Sequence, residues 1–259
     1  MSDNRRFEGG DVVLSYDNLV LAEGRKPMSG VIRAGEITGV AGLEGHGQEE
    51  FLLALAGHLK PRDAKIEVRA QGGAAAGYRD HYAAARHGVV YLPRDRRSTG
   101  IFPVLSVLDN FAVPSMPRFS LAGILDRRRL KAELAHYTEF LSIKYPSADA
   151  PISSLSGGNQ QKVLLARLLA LKPRVMLLND PTRGVDLNTR LKFYEAFRKL
   201  AGESGIALVI LSSEIEEILE VCHNVSIFRD FERTSVLEND DMTMDRVMAA
   251  MFGHEEVQQ

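Results

Sequence analysis

The chain has 259 residues, long enough to bury one large α/β core or two smaller ones, and its 45% apolar and 25% charged residues are an ordinary globular balance. A formal net charge of −2 leaves no electrostatic footprint for nucleic acid, and no apolar run approaches the ~18–20 residues that cross a bilayer. The single Cys222 excludes an intrachain disulfide, suits a reducing cytoplasm and reads as a small buried hydrophobe. The amino terminus, MSDNRRFEGG, lacks the apolar stretch of a signal peptide, so a soluble chain that meets a membrane only through a partner is expected.

The first ten residues are polar and glycine-containing, and read as a loose tail. DVVLSYDNLVLA reads as a strand, and VIRAGEITGVAG as a turn leading into a short apolar strand. That strand runs into GVAGLEGHGQEE (39–50). QEEFLLALAG then reads as a helix, with acidic residues in its first turn and Gly57 at its end. GVVYLP (88–93) is another strand. From about 94 to 158 the pattern turns helical and irregular, and its basic clusters, RDRR at 94–97 and RRR at 127–129, read as solvated faces. NQQKVLLARLLALKP is a periodic helix stopped by Pro173. RVMLLND and GIALVILSSE are continuous apolar runs, the mark of strands buried on both faces of a parallel sheet, and they flank the helix RLKFYEAFRKLAGESG. NVSIFRD is a further strand and TMDRVMAAMFG a capped terminal helix. The elements predict an α/β fold with a helical insert between two parts of the core.

Two stretches carry chemistry. Strand, glycine-rich turn and helix is the setting of a phosphate-binding loop, and Gly42 and Gly47 stand at the separation of the Walker A pattern G-x-x-x-x-G-K-[ST], with Gly45 between them. The lysine and hydroxyl positions hold Gln48 and Glu49. LSGGNQQ (155–161) places the Ser156 hydroxyl and the N–H groups of Gly157 and Gly158 at the positive end of a helix, a ready site for a terminal phosphate. Taken alone, a plain serine-capped helix has the same look. VMLLNDPTRGVD (175–186) and VILSSE (209–214) follow in an order and spacing that the plain reading does not explain.

With these motifs in this order, nearly the whole chain resembles the ATP-binding cassette (ABC) family. LSGGN resembles the family signature, VMLLND the Walker B strand, and Gly184-Val185-Asp186 the D-loop. LPRDRRSTGIFPVLSVLDNF, LSGGNQQK, DPTRGVD and LSSEIEEI resemble more narrowly the second, degenerate cassette of the double-cassette ATPases of ribose-, galactose- and xylose-type importers, here as a chain of its own. The resemblance implies a P-loop NTPase (RecA-like) fold in a single nucleotide-binding domain. Its core would lie at about 11–93 and 160–235, with an antiparallel β part near the amino terminus, a helical signature subdomain at about 94–159 and a helical tail at about 236–259. It implies ATP and Mg²⁺ as cofactors. The partners it implies are a second, intact ABC ATPase subunit, a transmembrane permease and, indirectly, an extracytoplasmic sugar-binding protein, with no nucleic acid. The place it implies is the cytoplasmic face of the inner membrane.

The departures from the family pattern fall on one side. Gln48 stands where a lysine, or an arginine in similar second halves, holds phosphates, and Glu49 sets an anion where a hydroxyl belongs. Two unit charges ~4 Å apart repel by about 4 kcal/mol at an effective dielectric near 20. Asn179 replaces the metal-orienting aspartate, Asp180 the catalytic glutamate, Ser213 the switch histidine, and Arg94 occupies the Q-loop position. Leu21–Gly24 lacks the aromatic that stacks on adenine. In the family two cassettes dimerise head to tail, and the signature of one completes the nucleotide site of the other. The residues that serve a partner's nucleotide in that arrangement, Ser156, Gly157, Gly158, Asn159 and Asp186, match the family here.

The expectation is a cassette with a degenerate site of its own that completes a partner's site. It would dock on the permease through the insert, where Ile101, Phe102, Val104, Leu105 and Val107 follow the Q-loop position. Two alternatives stay open: an ATPase active as a homodimer, distinguished by turnover of the pure chain, and a soluble adaptor outside transport, distinguished by failure to co-purify with a permease.

Overall fold

The structure, a computed structural model, describes residues 7, 9–61, 63–69, 73–121, 124–238 and 241–254. Most of the expected amino-terminal tail (1–6 and 8) and parts of the carboxy-terminal one (239–240 and 255–259) lie outside the described residues. The chain divides into two compact units, Met1–Tyr91 with Arg174–Asp180 and Phe197–Gln259, and Leu92–Pro173 with Pro181–Ala196.

The first unit holds two sheets. Strands β1 (Val12–Leu19), β2 (Met28–Arg33), β4 (Lys65–Arg69) and β5 (Ala75–Gly77) form an antiparallel sheet in the order β2-β1-β4-β5. Register shifts along the β1–β2 pair let the consecutive residues Val13 and Leu14 both be buried, which a regular period of two forbids. The second sheet runs β12-β11-β3-β10-β9-β6, built from β3 (Ile37–Gly42), β6 (Val89–Leu92), β9 (Val175–Asn179), β10 (Ala207–Leu211), β11 (Asn224–Arg229) and β12 (Glu232–Glu238). Strands β11, β3, β10 and β9 run parallel to one another, and every residue of β9 and β10 is buried, as their unbroken apolar runs predict. Strand β12 closes the edge as an antiparallel hairpin through Asp230 and Phe231, both left-handed.

Helix α1 (Gln48–Leu55) leaves the glycine loop after β3 and packs on β9, β10 and β3. Its Phe51 joins the two sheets, with ring centroids 5.3 Å from Tyr16 on β1 and 5.0 Å from Phe228 on β11. The segment between α1 and β6, which carries no strong period, folds as β4, β5 and the short helix α2 (His81–Arg86), capped by Asp80. Helices α8 (Ile215–Val221) and α9 (Met244–Phe252), the latter capped by Thr243, complete this unit.

The second unit is helical with one small hairpin: α3 (Val107–Ala112), α4 (Met116–Phe119), β7 (Ser120–Leu121) with β8 (Ile124–Leu125), α5 (Arg127–Leu141) and α6 (Gly157–Leu169). Leu108, Phe111, Leu130, Leu134, Leu164 and Leu165 are fully buried among α3, α5 and α6. Helix α7 (Leu187–Gly202) contributes its first half to this unit and its last turns to the other. No helix among the described residues is long and apolar enough to cross a membrane.

Because Phe51 is the ring that both sheets share, Phe51→Ala is expected to destabilise the fold by about 3–5 kcal/mol. Urea unfolding followed by circular dichroism checks it; a loss under ~1 kcal/mol is incompatible with this packing.

Candidate functional site

Parallel α/β sheets bind ligands at the carboxyl ends of their strands, where side chains from several loops converge. Here the carboxyl ends of three adjacent strands carry the glycine loop (β3), Asn179 and Asp180 (β9), and Ser212 and Ser213 (β10). The loop is a tight turn closed by His46 N–H donating to the Leu43 carbonyl, and helix α1 starts from it with Phe51 N–H donating to Gly47. Gly47 has φ +99°, and a Cβ there would lie 2.6 Å from the Phe231 Cα, so the β11–β12 hairpin seats directly on the loop. The hairpin is held there by Phe231 N–H donating to the His46 carbonyl and Asp230 N–H to His46 Nδ1.

The unusual residues of this loop are tied down by hydrogen bonds. Gln48 is buried, and its Nε2 folds back to donate to the carbonyls of Leu43 at 2.8 Å and Gly42 at 3.4 Å. The Glu49 carboxylate accepts from Asn179 Nδ2 at 3.0 Å, and the same nitrogen donates to Tyr91 Oη at 3.1 Å. Asn179 is 1% exposed, so this amide–carboxylate pair lies in a poorly solvated place where charge-assisted bonds are strong. Burial raises the Tyr91 hydroxyl above its ordinary pKa; the Asn179 bond lowers it and the Glu49 charge adds to the rise. Asp180 is left-handed, with φ +48°, and one of its carboxylate oxygens accepts from both Ser213 N–H (2.7 Å) and Ser213 Oγ (3.0 Å). Thus Glu49 meets Asn179, and Asp180 meets Ser213.

The LSGGN stretch lies in the second unit and is built differently. Ser156 caps α6, its Oγ accepting from Asn159 N–H (3.4 Å) and Asn159 Nδ2 (3.0 Å), which leaves its own hydrogen to donate outward. Asn159 also accepts from Lys144 N–H at 2.8 Å, so its amide is satisfied locally. Gln160 donates to the carbonyls of Leu155 and Ile152, and Lys162 to that of Ser142. Of the motif, Ser156 is exposed, while the residues after Gly158 hold the turn in place. Asp186 caps the first turn of α7 through Thr189 N–H (3.0 Å) and Thr189 Oγ1 (2.8 Å), and these bonds hold its carboxyl below the usual range. Thr189 in turn packs on Gly158, where a Cβ would come within 2.9 Å of its methyl group. The structure therefore brings Ser156–Asn159 and Asp186 into one cluster, bridged by Thr189.

The chain matches the family model described as ABC transporter over residues 25–183, more than half its length. The chain belongs to the ABC transporter family. Among relatives of this cassette is a protein of Pseudomonas syringae pv. syringae named for ribose/galactose/methyl galactoside import ATP binding. It is 36% identical over 250 residues, 96% of this chain and 47% of the relative. The ribose import ATP-binding protein RbsA of Geobacillus kaustophilus is 32% identical over 96% of this chain and 50% of its own length. The cassette thus spans about half the length of the curated relatives it matches. Its fold is similar to a nucleotide-free ATP-binding cassette from an ABC transporter, with a TM-score of 0.75 over 92% of this chain and 96% of that one at 16% identity. It is also similar to the ATP-binding cassette MJ0796 bound to ADP and Pi, with a TM-score of 0.72 over 87% and 98% at 20% identity.

Two expectations need correction. Among the five apolar residues of the insert, Phe102 and Val104 are exposed, at 45% and 91%, whereas Val107 is fully buried under α3 and Ile101 and Leu105 are half-buried. The buried Asn110 explains the shape, bonding both the N–H and the carbonyl of Phe102 and so fixing the loop that presents it. The basic clusters are more than solvated faces: Arg127 bridges Asp109 and Asp149, and Arg96 donates to the Arg183 carbonyl. Arg94 is half-buried just past β6. Sequence reading gave no role to Tyr91, Thr189 or Arg96; Arg96 lies in the LPRDRRSTG stretch, but only its place in space shows what it touches.

The residues at the glycine loop do not fit a metal–phosphate group. A carboxylate and a neutral amide are bonded to each other where a hydroxyl and an acidic metal anchor are required, and among the described residues no group of three His, Cys, Asp or Glu is arranged to hold a metal ion. Asn179→Asp is a direct test of that pair. It sets a buried carboxylate beside the half-buried Glu49, and their repulsion raises one pKa above its unfolded value of ~4. The loss is therefore full above that raised pKa and disappears as pH falls below ~4. A stability loss of about 2–4 kcal/mol at pH 7, shrinking toward pH 4.5, is expected in urea titrations; a loss independent of pH contradicts the pairing.

Proposed function

We propose that this chain is the non-catalytic cassette of a monosaccharide-type ABC importer, working at the cytoplasmic face of the membrane. In this reading its LSGGN turn and Asp186 complete the ATP site of a catalytically complete cassette. The observation that carries the reading is the asymmetry between the two sets of residues. Gln48, Glu49, Asn179, Asp180 and Ser213 are spent on bonds within the protein, while Ser156 keeps an outward donor at the head of a helix whose first N–H groups have no intrahelical acceptor. Relatives named for ribose and for ribose/galactose/methyl galactoside import support the monosaccharide class. A transmembrane permease and an extracytoplasmic sugar-binding protein are the partners such an importer requires. The exposed Phe102 and Val104 support docking on the permease through the insert.

The chemistry asked of this chain is electrostatic. ATP with Mg²⁺, held by the partner, supplies the phosphoryl group. Ser156 Oγ and the N–H groups of Gly157 and Gly158 donate toward the developing phosphate charge, at the positive end of the α6 dipole. Asp186, by fixing Thr189 against Gly158, keeps those donors in place before the cassettes close.

Alone, the chain is expected to bind MgATP weakly and to hydrolyse it negligibly. The triple change Gln48→Lys, Glu49→Ser, Asn179→Asp restores a cation, a hydroxyl and a metal anchor, and is expected to tighten MgATP binding at least about tenfold by titration calorimetry. Steady turnover by the unmodified pure chain, abolished by Asp180→Asn, contradicts the reading.

In the complex with its partner cassette and permease, Ser156→Arg is expected to abolish ATP turnover and sugar uptake, a loss beyond the ~10²–10³-fold of removing one oxyanion donor. Asp180→Ala is expected to leave both within a few-fold. The reverse pattern makes this chain the catalytic cassette.

A further inference from the structure

Resting on the reading above, we propose that Arg96 is a positioning residue. It locks the LSGGN turn to the Asp186 turn, so that both meet the partner's nucleotide as one rigid edge.

Arg96 opens a single π-helical turn, Arg96–Gly100, closed by Ile101 N–H donating to the Arg96 carbonyl at 2.8 Å. Asp95 fixes the turn from its start, accepting from Ser98 Oγ at 2.7 Å and, through its carbonyl, from Thr99 Oγ1 at 2.7 Å. From this base the guanidinium reaches two backbones at once. Its Nη1 donates to the Arg183 carbonyl at 3.0 Å, on the turn that leads into Asp186. Its Nη2 lies against the bare Cα of Gly157, where any Cβ would overlap it. A side chain at Gly157 would therefore displace this guanidinium tip, as one at Gly158 would press on the Thr189 methyl group.

The other end of the same short turn also grips α6. The Gly100 carbonyl accepts from Arg167 Nη2 at 2.6 Å, and a Cβ on Gly100 would come within 2.8 Å of Leu164. Burial lowers the Arg167 pKa to about 10, so this guanidinium is still charged at neutral pH and its bond is made in a poorly solvated place. Leu164 and Arg167 lie two to three turns beyond Gly157, about 10–15 Å along the helix. Five residues therefore hold the signature helix at two separated points and the Asp186 turn at a third.

The geometry calls for arginine rather than any cation. A rigid fork holds one Nη on the Arg183 carbonyl while the other is set against Gly157, a spacing that an ammonium on a flexible stem does not reproduce. The helix dipole offers no other reason for a cation at this end of α6, because it disfavours positive charge there.

Two experiments test the proposal. In the assembled transporter, Arg96→Ala and Arg96→Lys are both expected to lower kcat for ATP at least about tenfold, with KM for MgATP within about threefold, since misplacement of a catalytic edge by ~1 Å costs up to ~10² in rate. Ser156→Arg is assayed beside them. If Ser156→Arg abolishes turnover but Arg96→Ala matches the unmodified protein, the proposal is overturned and the functional reading stands. Full rescue by Arg96→Lys also overturns it, because charge and not the fork then matters. If Ser156→Arg is itself tolerated, the functional reading fails. In the chain alone, Gly157→Ala is expected to lower Tm and to speed hydrogen exchange at residues 157–160, and Arg96→Ala combined with it to recover most of the Tm loss. An equal Tm loss in both backgrounds means that Arg96 does not sit on Gly157, and overturns the proposal without any partner present.

Discussion

The hydrogen bond from Asn179 Nδ2 to the Glu49 carboxylate governs what the glycine loop can do. A carboxylate placed at the head of a helix and next to anionic phosphates is repelled by them; bonded to a buried amide, it is stable as it stands. The amide needs the carboxylate equally, since its nitrogen has two hydrogens and the second goes to Tyr91. Gln48 completes the arrangement by donating to the loop's own carbonyls, so that the loop keeps its shape without lysine. The amide nitrogens of Gln48 and Asn179 and the Glu49 carboxylate are thus held by one another and by the loop, while the two amide oxygens are buried without a hydrogen-bond partner.

The second unit follows another logic. Its polar groups hold the LSGGN turn and the Asp186 turn, where Ser156 and Asp186 are exposed. Ser156 is steadied by Asn159, Gly158 by Thr189, Thr189 by Asp186, and Gly157 by Arg96. The same contrast explains why glycines matter at both places for different reasons. Gly47 is needed for its left-handed backbone and the hairpin seated on it. At Gly157 and Gly158 side chains from other segments, the Arg96 tip and Thr189, occupy the space of the missing Cβ atoms.

Much of this was legible residue by residue. Unbroken apolar runs predicted β9 and β10, the strand–glycine–helix order predicted β3 and α1, and the LSGGN stretch predicted a capped helix beginning at Gly157. The stretch from 58 to 87 was not legible. Its strands β4 and β5 are short, and β4 exists because β1, about 50 residues away, offers a ladder to pair with, on which β5 then adds through β4. Strand β12 was missed for a similar reason. Its alternation of half-buried and exposed residues is weak, and it is held by the hairpin turn at Asp230 and Phe231.

The sequence by itself determined the family, the class of fold and which residue stands at each motif position, because those are properties of residue type at fixed spacing. Only the tertiary structure decided what those residues contact. That Glu49 and Asn179, 130 positions apart, neutralise each other's cost, that Asp180 is engaged by Ser213, and that an arginine from a basic cluster lies on a signature glycine are facts about proximity. A hydrogen bond or a steric exclusion acts over about 3 Å, and that distance is set by the fold, not by the order of residues along the chain.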